Sequence, residues 1–212
     1  QHLAFKDRIL REAEEIFNAG TFTIKKEKKG FTHFKRNEQF EGHRLKGSEG
    51  PMNLSWKSFI SAFSNLDFGH EMAKYAGRNI VETSLIEWVD ENCYIGYQLS
   101  KSPFPMSKRS FVFMAAWKDI GEGKHVINVK SLSHDKKPET ENDIRALLLA
   151  SAYLIEERGE KIHGKFLGAF DLGGSIPSVF LKMADADSYN RLELFDEAHL
   201  ALKKKGIIWD QQ

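Results

Sequence analysis

The stretch "GGSIPSVFLKMADADSYNRLELFDEAHLALKKK" at residues 173–205 decides the fold, because it reads as one long amphipathic helix at the end of a strand-rich chain. We expect Ser175 to cap this helix and Pro177 to lie in its first turn. Lys203–Lys205 complement the helix dipole at the other end. The apolar positions are Val179, Leu181, Met183, Leu192, Leu194, Phe195, Ala198 and Leu202. Such a helix needs an apolar surface to cover, and the segments before it can supply one.

Six long segments with a period of two precede this helix and are rich in Val, Ile, Phe, Tyr and Leu. Turn residues such as Gly121-Glu122-Gly123 separate them. Residues 145–155 also have helical propensity, but they lie between two strands and we predict a strand there. The predicted strands are 79–89, 92–100, 109–118, 124–134, 143–156 and 161–171.

The first third of the chain mixes both periodicities. Lys29-Gly30 lies between two alternating segments and predicts a β-hairpin. Asn53 or Ser55 can cap the helix that begins in "NLSWKSFISAF". In chain order the predicted elements are a helix at 5–18, strands at 21–28 and 31–37, a short strand at 41–47, the helix after residue 53, and a helix at 68–77.

This order of elements predicts an α+β, helix-grip fold. A flat antiparallel sheet of about nine strands is unfavourable, so we expect the sheet to curl around the long C-terminal helix. A curled sheet that grips a helix encloses a cavity that its own side chains need not fill. We expect residues 1–212 to form a single domain.

Composition excludes several classes of protein. The chain of 212 residues has 31 Lys plus Arg against 30 Asp plus Glu, so its charge gives no reason to expect a nucleic-acid partner. Its single cysteine, Cys93, excludes a disulfide framework and favours a reducing compartment. We find no signal peptide and no membrane span in the sequence. Sixteen Phe against five Tyr suit a dry interior or a smooth apolar cavity.

Three motifs, in the same order and at similar spacing, resemble the START domain family of lipid-transfer modules related to the steroidogenic acute regulatory protein. They are "PMSKRSFVF" (105–113), "DIRALLLAS" (143–151) and "FDLGGSIPSVF" (170–180). The resemblance covers about residues 5–205. It implies a helix-grip fold around a lipid-sized cavity.

The loop "PFPMS" before Arg109 is most similar to the phosphatidylcholine-transfer branch of that family. Three places depart from the branch. Ser110 stands where the family has Asp, so no carboxylate follows the arginine. Gln98 stands where the branch has a cage tryptophan, and Leu149 and Ser151 stand where it has Tyr and Gln. An aromatic choline cage is therefore not expected here.

Arg109 is the first candidate for a lipid contact, because an arginine at the start of an inner strand needs an anionic or polar partner. It could donate a bidentate contact to a lipid phosphate or hydroxyl, or it could form a structural salt bridge that holds the sheet, or it could lie at a solvated strand end. Arg145 could act likewise, or bridge to Asp143 or Glu141. Tyr97 and Gln98 are neighbours, so only one of them can face inward, and Gln98 is preferred. The candidate lipid contacts are Arg109, Gln98, Arg145, Tyr97, Phe111 and Phe113.

The loop between Pro103 and Pro105 cannot pair as a central strand, so we expect it to be a lid. Phe104 could touch a membrane or could plug the core. The tail Lys203–Lys205 with 207–209 could also meet a membrane surface, or could be a frayed terminus. The candidate lid and membrane contacts are Phe104, Met106, Ile176, Val179, Phe180 and Met183.

We therefore expect a lipid-binding, intermembrane lipid-transfer protein that encloses one glycerophospholipid. A sterol, ceramide or fatty-acid carrier, an enzyme of the helix-grip superfamily, and an interaction module with a filled cavity remain alternatives. No catalytic constellation, metal-ligand spacing or cofactor motif is found, so we expect no enzyme activity, no metal and no cofactor. The expected protein is a cytoplasmic monomer that associates transiently with membranes.

Overall fold

The computed structural model describes residues 1–18, 20–75, 79–103 and 105–207, apart from the side chains at 180, 183–185 and 187. Five helices are described: α1 (His2–Asn18), α2 (Trp56–Ser64), α3 (Leu66–Tyr75), α4 (Ser178–Tyr189) and α5 (Arg191–Lys204). Ten strands are described: β1 (Phe22–Lys28), β2 (Phe31–Arg36), β3 (Lys46–Met52), β4 (Ile80–Asp90), β5 (Cys93–Ser100), β6 (Arg109–Gly121), β7 (Lys124–Ser131), β8 (Ile144–Arg145), β9 (Leu147–Arg158) and β10 (Lys161–Asp171).

All ten strands belong to one sheet with the order β1-β2-β3-β10-β9-β7-β6-β5-β4. Neighbours along this path are antiparallel, and the two-residue β8 pairs in parallel with the start of β6. The path does not close, so β1 and β4 are its two edges. The prediction of a large antiparallel sheet of about nine strands is confirmed.

α1 covers one face of the sheet, which we call the α1 face. Ile9, Leu10, Ala13 and Ile16 lie on one side of α1 and are buried against the strands. The side-chain amide of Asn128 donates a 2.7 Å hydrogen bond to the carbonyl oxygen of Ile9. This bond fixes the helix against β7.

The other face, which we call the α5 face, carries α2, α4 and α5. Alternation along each strand sends Tyr94, Phe113 and Trp117 to this face. Ile95 and Met114, one residue along, point to the α1 face. The α5 face is the inner side of the predicted grip.

The third strand lies at 46–52 and not at 41–47. Glu41 and Gly42 have positive φ angles of 48° and 80°, so this part of the predicted strand is a turn. The true strand, "KGSEGPM", is rich in Gly and Pro and does not look like a strand. Its glycine at 47 is needed for close approach, since a Cβ there would lie 1.7 Å from the carbonyl oxygen of Phe166.

The C-terminal helix is two helices that meet at Asn190, whereas the sequence pattern predicts one. The segment begins at Ser178 with Pro177 at the N-cap, and no side chain caps it. The predictions of a Ser175 cap and of a first turn that contains Pro177 are wrong. Ser55 does cap α2, where its hydroxyl accepts a bond from the backbone N of Ser58. The predicted strand at 143–156 is likewise divided into β8 and β9.

Candidate functional site

Aromatic side chains fill the space between α2, α5 and the sheet. The ring centroids of Phe59 and Phe195 are 4.6 Å apart, and those of Tyr153 and Phe166 are 4.8 Å apart. The ring of Phe63 meets Tyr153 edge-on at 5.4 Å. This part of the α5 face is packed core, so room for a ligand has to lie elsewhere.

A cavity of about 500 Å³, which we call the α4 groove, lies between α4 and the ends of β9 and β10. Five of its eight described lining residues are leucine, isoleucine or phenylalanine, and the rest of the wall is polar, with His43 and Asp171 among its groups. Apolar side chains beside a few polar groups are typical of sites for small ligands. The lining residues are His43, Leu149, Phe170, Asp171, Leu172, Gly174, Ile176 and Leu181.

A glycine pair turns the chain from β10 into α4 and so shapes the groove. Gly173 and Gly174 have φ angles of 64° and 65°, in the left-handed region that favours glycine. The backbone N of Gly173 donates a 2.8 Å hydrogen bond to the Oδ1 atom of Asp171. This turn brings Ile176 over the groove.

Arg109 is buried at the start of β6 and holds two loops together. Its guanidinium donates hydrogen bonds to the carbonyl oxygens of Leu172 (3.3 Å), Ser107 (2.6 Å) and Gly173 (3.4 Å), and to the hydroxyl of Ser102 (3.3 Å). Burial lowers the pKa of this group. These bonds use four of the five N–H groups of an arginine.

The four bonds bear on both hypotheses for Arg109. None of the described carboxylates forms an ion pair with it, so its structural partners are neutral oxygens. A bidentate contact with a phosphate needs two N–H groups, so one of the present bonds would have to break. Arg109 therefore ties the loop before β6 to the loop before α4, at one end of the groove.

Arg145 is half-buried and has a similar structural role. Its Nε donates a 3.0 Å hydrogen bond to the hydroxyl of Ser110, and its Nη2 donates to the carbonyl oxygens of Lys137 and Pro138, both at 3.1 Å. In the described part of the chain Arg145 has no ion pair with Asp143 or any other carboxylate. The serine that replaces the expected family aspartate thus accepts a bond from this arginine.

Gln98 and Tyr97 point to opposite faces. Tyr97 packs among the side chains of the α1 face, and the ammonium of Lys137 lies 3.9 Å from the centre of its ring. By alternation Gln98 points to the α5 face, where its amide donates a 3.0 Å hydrogen bond to the hydroxyl of Ser100. Phe111 and Phe113 also belong to the α5 face. The structure therefore separates Tyr97 from the other candidate contacts.

The candidate lid residues are only partly brought together. Ile176 lines the α4 groove, and Val179 on α4 has 57% of its surface exposed. Met106 is half-buried in a turn closed by a 2.9 Å bond from its backbone N to the carbonyl oxygen of Pro103. Phe104, the side chains of Phe180 and Met183, and residues 208 and 209 of the predicted membrane-binding tail lie outside the described residues.

The family-model comparison matches residues 75–184, just over half of the 212 residues, to the START domain. The chain belongs to the START domain family. Relatives of this START domain include human Rho GTPase-activating protein 7, 28% identical over 173 residues, which are 77% of this chain and 11% of that protein. Mouse phosphatidylcholine transfer protein is 27% identical over 126 residues, which are 58% of this chain and 56% of that protein.

Solved structures show the same fold. Human StAR-related lipid transfer protein 5 superposes with a TM-score of 0.79 at 16% identity, covering 96% of this chain and 97% of that chain. The predicted helix-grip class is confirmed. The phosphatidylcholine-transfer branch indicated by the "PFPMS" loop is among the relatives. In the described residues, no helix is both long and apolar enough to cross a bilayer.

Several residues of the START domain were not candidates from sequence. His43, Phe170, Leu172 and Leu181 line the groove, yet only the "FDLGG" motif drew attention to that segment. His2, Glu87 and His134 place ligand atoms within 4.8 Å of one another and could hold a metal ion. These three residues are far apart in the sequence, so no metal-ligand spacing pointed to them. The ammonium of Lys136 lies 3.7 Å from Glu87 and would oppose a cation there.

Proposed function

We propose that this START domain, with residues 1–212 acting as one unit, encloses one glycerophospholipid and carries it between membranes. The observation that carries the proposal is the α4 groove, a cavity of about 500 Å³ with both apolar and polar wall groups, in a domain whose neighbours include a lipid transfer protein. The printed name of the mouse relative, phosphatidylcholine transfer protein, supports a phospholipid as the ligand.

Partition drives uptake in this proposal, and no bond is made or broken. Burying acyl methylenes in the groove stabilises the complex by about 0.8 kcal/mol per CH₂. The leucines of the groove supply apolar wall to the lipid, and Phe111 and Phe113 lie on the same α5 face. No metal, cofactor or catalytic group is part of the mechanism.

The α4 helix is the part that opens. Among its described side chains, Val179 and Leu181 are 57% and 47% exposed. The interruption at Asn190 lets α4 move while α5 stays in place. Elements with few buried contacts open at low free-energy cost.

The polar end of the lipid meets Gln98 and the remaining N–H of Arg109 in this proposal. Arg109 then acts mainly by holding the loops at the mouth and contributes one direct bond to a phosphate oxygen. Arg145 supports the same region through Ser110. Tyr97 has no part in the lipid site, because it packs on the α1 face.

Membrane contact involves half-buried and exposed apolar residues around the groove in this proposal. Ile176, Val179 and Met106, together with the sequence candidates Phe104, Phe180 and Met183, would enter the interfacial region while α4 opens. The protein would act as a cytoplasmic monomer and associate with membranes only transiently.

Native mass spectrometry of the purified protein, followed by lipid extraction and identification, tests this function. One phosphate-bearing lipid per chain, and its transfer between vesicles, is the expected result. If one sterol, ceramide or fatty acid per chain is found instead, that compound and not a phospholipid is the ligand. A protein that stays empty after exposure to mixed vesicles would exclude a carrier function.

A further inference from the structure

Two histidines and one glutamate meet where the start of α1, the edge strand β4 and the loop after β7 come together. The Nδ1 atom of His2 lies 2.7 Å from Oε1 of Glu87, and the Nε2 atom of His134 lies 3.8 Å from Oε2 of the same carboxylate. The side chains of His2, Glu87 and His134 are 36%, 32% and 10% exposed. Solvent ions can therefore reach the group, although the protein surrounds most of it.

An irregularity in β4 turns Glu87 towards α1. The register between β4 and β5 shifts between Leu85 and Glu87. Glu87 pairs with Ile95, whose side chain points to the α1 face, and Ile86 packs against the same core. Two consecutive side chains of β4 therefore point to the α1 face, which a regular strand does not allow. Bulges of this kind re-aim side chains and are frequent beside functional sites.

Ion pairs hold both histidine-bearing segments against β4. On α1, Lys6 pairs with Asp90. In the loop after β7, the ammonium of Lys137 lies 2.9 Å from the carboxylate of Glu82. The two acidic residues lie on either side of Glu87 along the strand. The three side chains are thus held together before any ligand binds, which lowers the cost of ordering them when one does.

Two imidazoles and one carboxylate are a donor set that suits zinc. Zinc binds histidine nitrogen at about 2.0–2.1 Å and carboxylate oxygen at about 2.0–2.2 Å, so neighbouring ligand atoms of a tetrahedral site are about 3.4 Å apart. The nitrogen–oxygen distances of 2.7 and 3.8 Å lie on either side of that value. All three ligand atoms lie within 4.8 Å of one another, so side-chain shifts of about 1 Å complete the geometry. Calcium and magnesium prefer oxygen ligands and suit the group less well.

Lys136 opposes a cation at this position, but its effect is small. Its ammonium lies 3.7 Å from Oε2 of Glu87, yet its side chain is 64% exposed and can turn into solvent. Its backbone N donates a 3.2 Å hydrogen bond to Nδ1 of His134. Zinc on Nε2 of this ring places the ring proton on Nδ1, so that bond is lost and Nδ1 donates to water instead. A long bond on an exposed turn contributes little to stability.

We propose that His2, Glu87 and His134 form a zinc-binding site that fastens the start of α1 and the loop after β7 to the edge strand β4. A water molecule takes the fourth position. The ion stabilises the folded chain, because these ligands come together only after α1 and the sheet have formed. None of the three residues lines the α4 groove, so the zinc site and the lipid-carrier function can each fail without the other.

Zinc titration of the full chain tests the site. The protein is first freed of metal, and zinc binding is then measured by competition with a colorimetric zinc chelator. We expect one zinc ion per chain. At a free zinc concentration about 100-fold above the Kd, the Tm should rise by about 5 °C or more. Calcium and magnesium at the same concentration should leave the Tm unchanged.

Glu87→Gln and His134→Gln should each weaken zinc binding at least tenfold, because each removes a ligand. Both residues lie far from the chain terminus, so a loss in both variants excludes zinc that is held by the terminal amine and His2 alone. Lys136→Ala should strengthen zinc binding about two- to fivefold, since it removes a nearby positive charge.

His70→Gln is the matched control. The Nδ1 atom of His70 lies 3.2 Å from Oγ1 of Thr83 on the same strand, so this variant removes a histidine that contacts β4 elsewhere and should keep the zinc affinity. The Tm of each metal-free variant shows whether it is folded, and Glu87→Gln keeps the test valid if His134→Gln is not. A wild-type chain that binds no zinc, or an equal zinc affinity in the wild type and Glu87→Gln, would overturn the site.

Discussion

The carboxylate of Asp196 on α5 accepts two hydrogen bonds from Asn53, one from the backbone N at 2.6 Å and one from the side-chain Nδ2 at 3.0 Å. Asn53 directly follows β3, so this pair ties α5 to the sheet and to the start of α2. Ion pairs from Lys28 and Lys29 to Glu193 add to the attachment. Because α5 is attached in this way, the opening that we propose involves α4 and not the whole C-terminal segment.

Asp196→Ala should therefore destabilise the domain by about 2–4 kcal/mol, because it removes two charge-assisted bonds and leaves a backbone N–H unpaired. Urea unfolding measures the change. The neighbouring Glu197→Gln is a matched control, since Glu197 is exposed and its ion pair with Lys29 should contribute little. Equal losses in the two variants would contradict an anchoring role for Asp196.

Gly173→Ala should cost more than Gly159→Ala, although the two glycines have nearly equal φ angles of 64° and 67°. Both substitutions carry the left-handed penalty of about 1–2 kcal/mol. A Cβ at Gly173 would also lie 2.9 Å from Ile144 Cγ2, whereas nothing lies within 4 Å at Gly159. Equal unfolding free energies for the two variants would show that the turn before α4 shifts to accommodate the added Cβ at no cost in free energy.

Val179→Asp should slow lipid transfer between vesicles at least threefold, because it places a charge on the surface that we propose enters the membrane. Ile24→Asp is the control, since Ile24 is 63% exposed on the edge strand β1. Both variants should keep their bound lipid in solution. If the two transfer rates fall equally, membrane contact does not occur through α4.

Leu149→Trp should reduce lipid occupancy, because the larger ring occupies part of the α4 groove. Leu85→Trp, at a 42% exposed position on the edge strand β4, controls for an added tryptophan. Native mass spectrometry after exposure to phospholipid vesicles gives the occupied fraction. Full lipid occupancy in Leu149→Trp would show that the ligand binds on another part of the α5 face and not in the α4 groove.

Stability should fall as the pH is lowered from about 7.5 to 5.5. Burial lowers the pKa values of His33 and His163 below the usual 6.5. The unfolded chain then binds more protons than the folded one at these pH values, so the contribution is complete above the unfolded pKa and is lost as the pH falls. Urea midpoints at the two pH values should differ less in His33→Gln and in His163→Gln than in the wild type. An unchanged difference in both variants would exclude these histidines as the cause.

The positions of β5, β6, β7 and β10 were predicted well because these segments are long and rich in Val, Ile, Phe, Tyr and Leu, as suits strands in the middle of the sheet whose two faces are both covered. The Gly-rich β3 has no such pattern, and its position depends on close approach to Phe166, which is distant in sequence. The break at Asn190 is invisible because helical periodicity continues on both sides of it.

The site was harder to predict than the fold. Arg109 was a correct candidate for a buried polar group, but most of its partners are backbone carbonyl oxygens, which residue types do not identify. The groove brings His43, Leu149 and Leu181 together from distant parts of the sequence. Residues that are grouped in this way have no characteristic spacing in the sequence, so the sequence pattern does not predict the group.

The open sheet has a further consequence for how these molecules behave when crowded together. An unpaired strand edge is a template on which a second chain can add and begin aggregation. β1 presents exposed Lys25, Lys26 and Lys28 along one edge, and like charges resist stacking there. The pairing of β4 with β5 has three register irregularities, which distort the other edge. Both edges of the described sheet are therefore unpaired, yet the lysines of β1 and the irregular register of β4 discourage edge-to-edge growth into fibres.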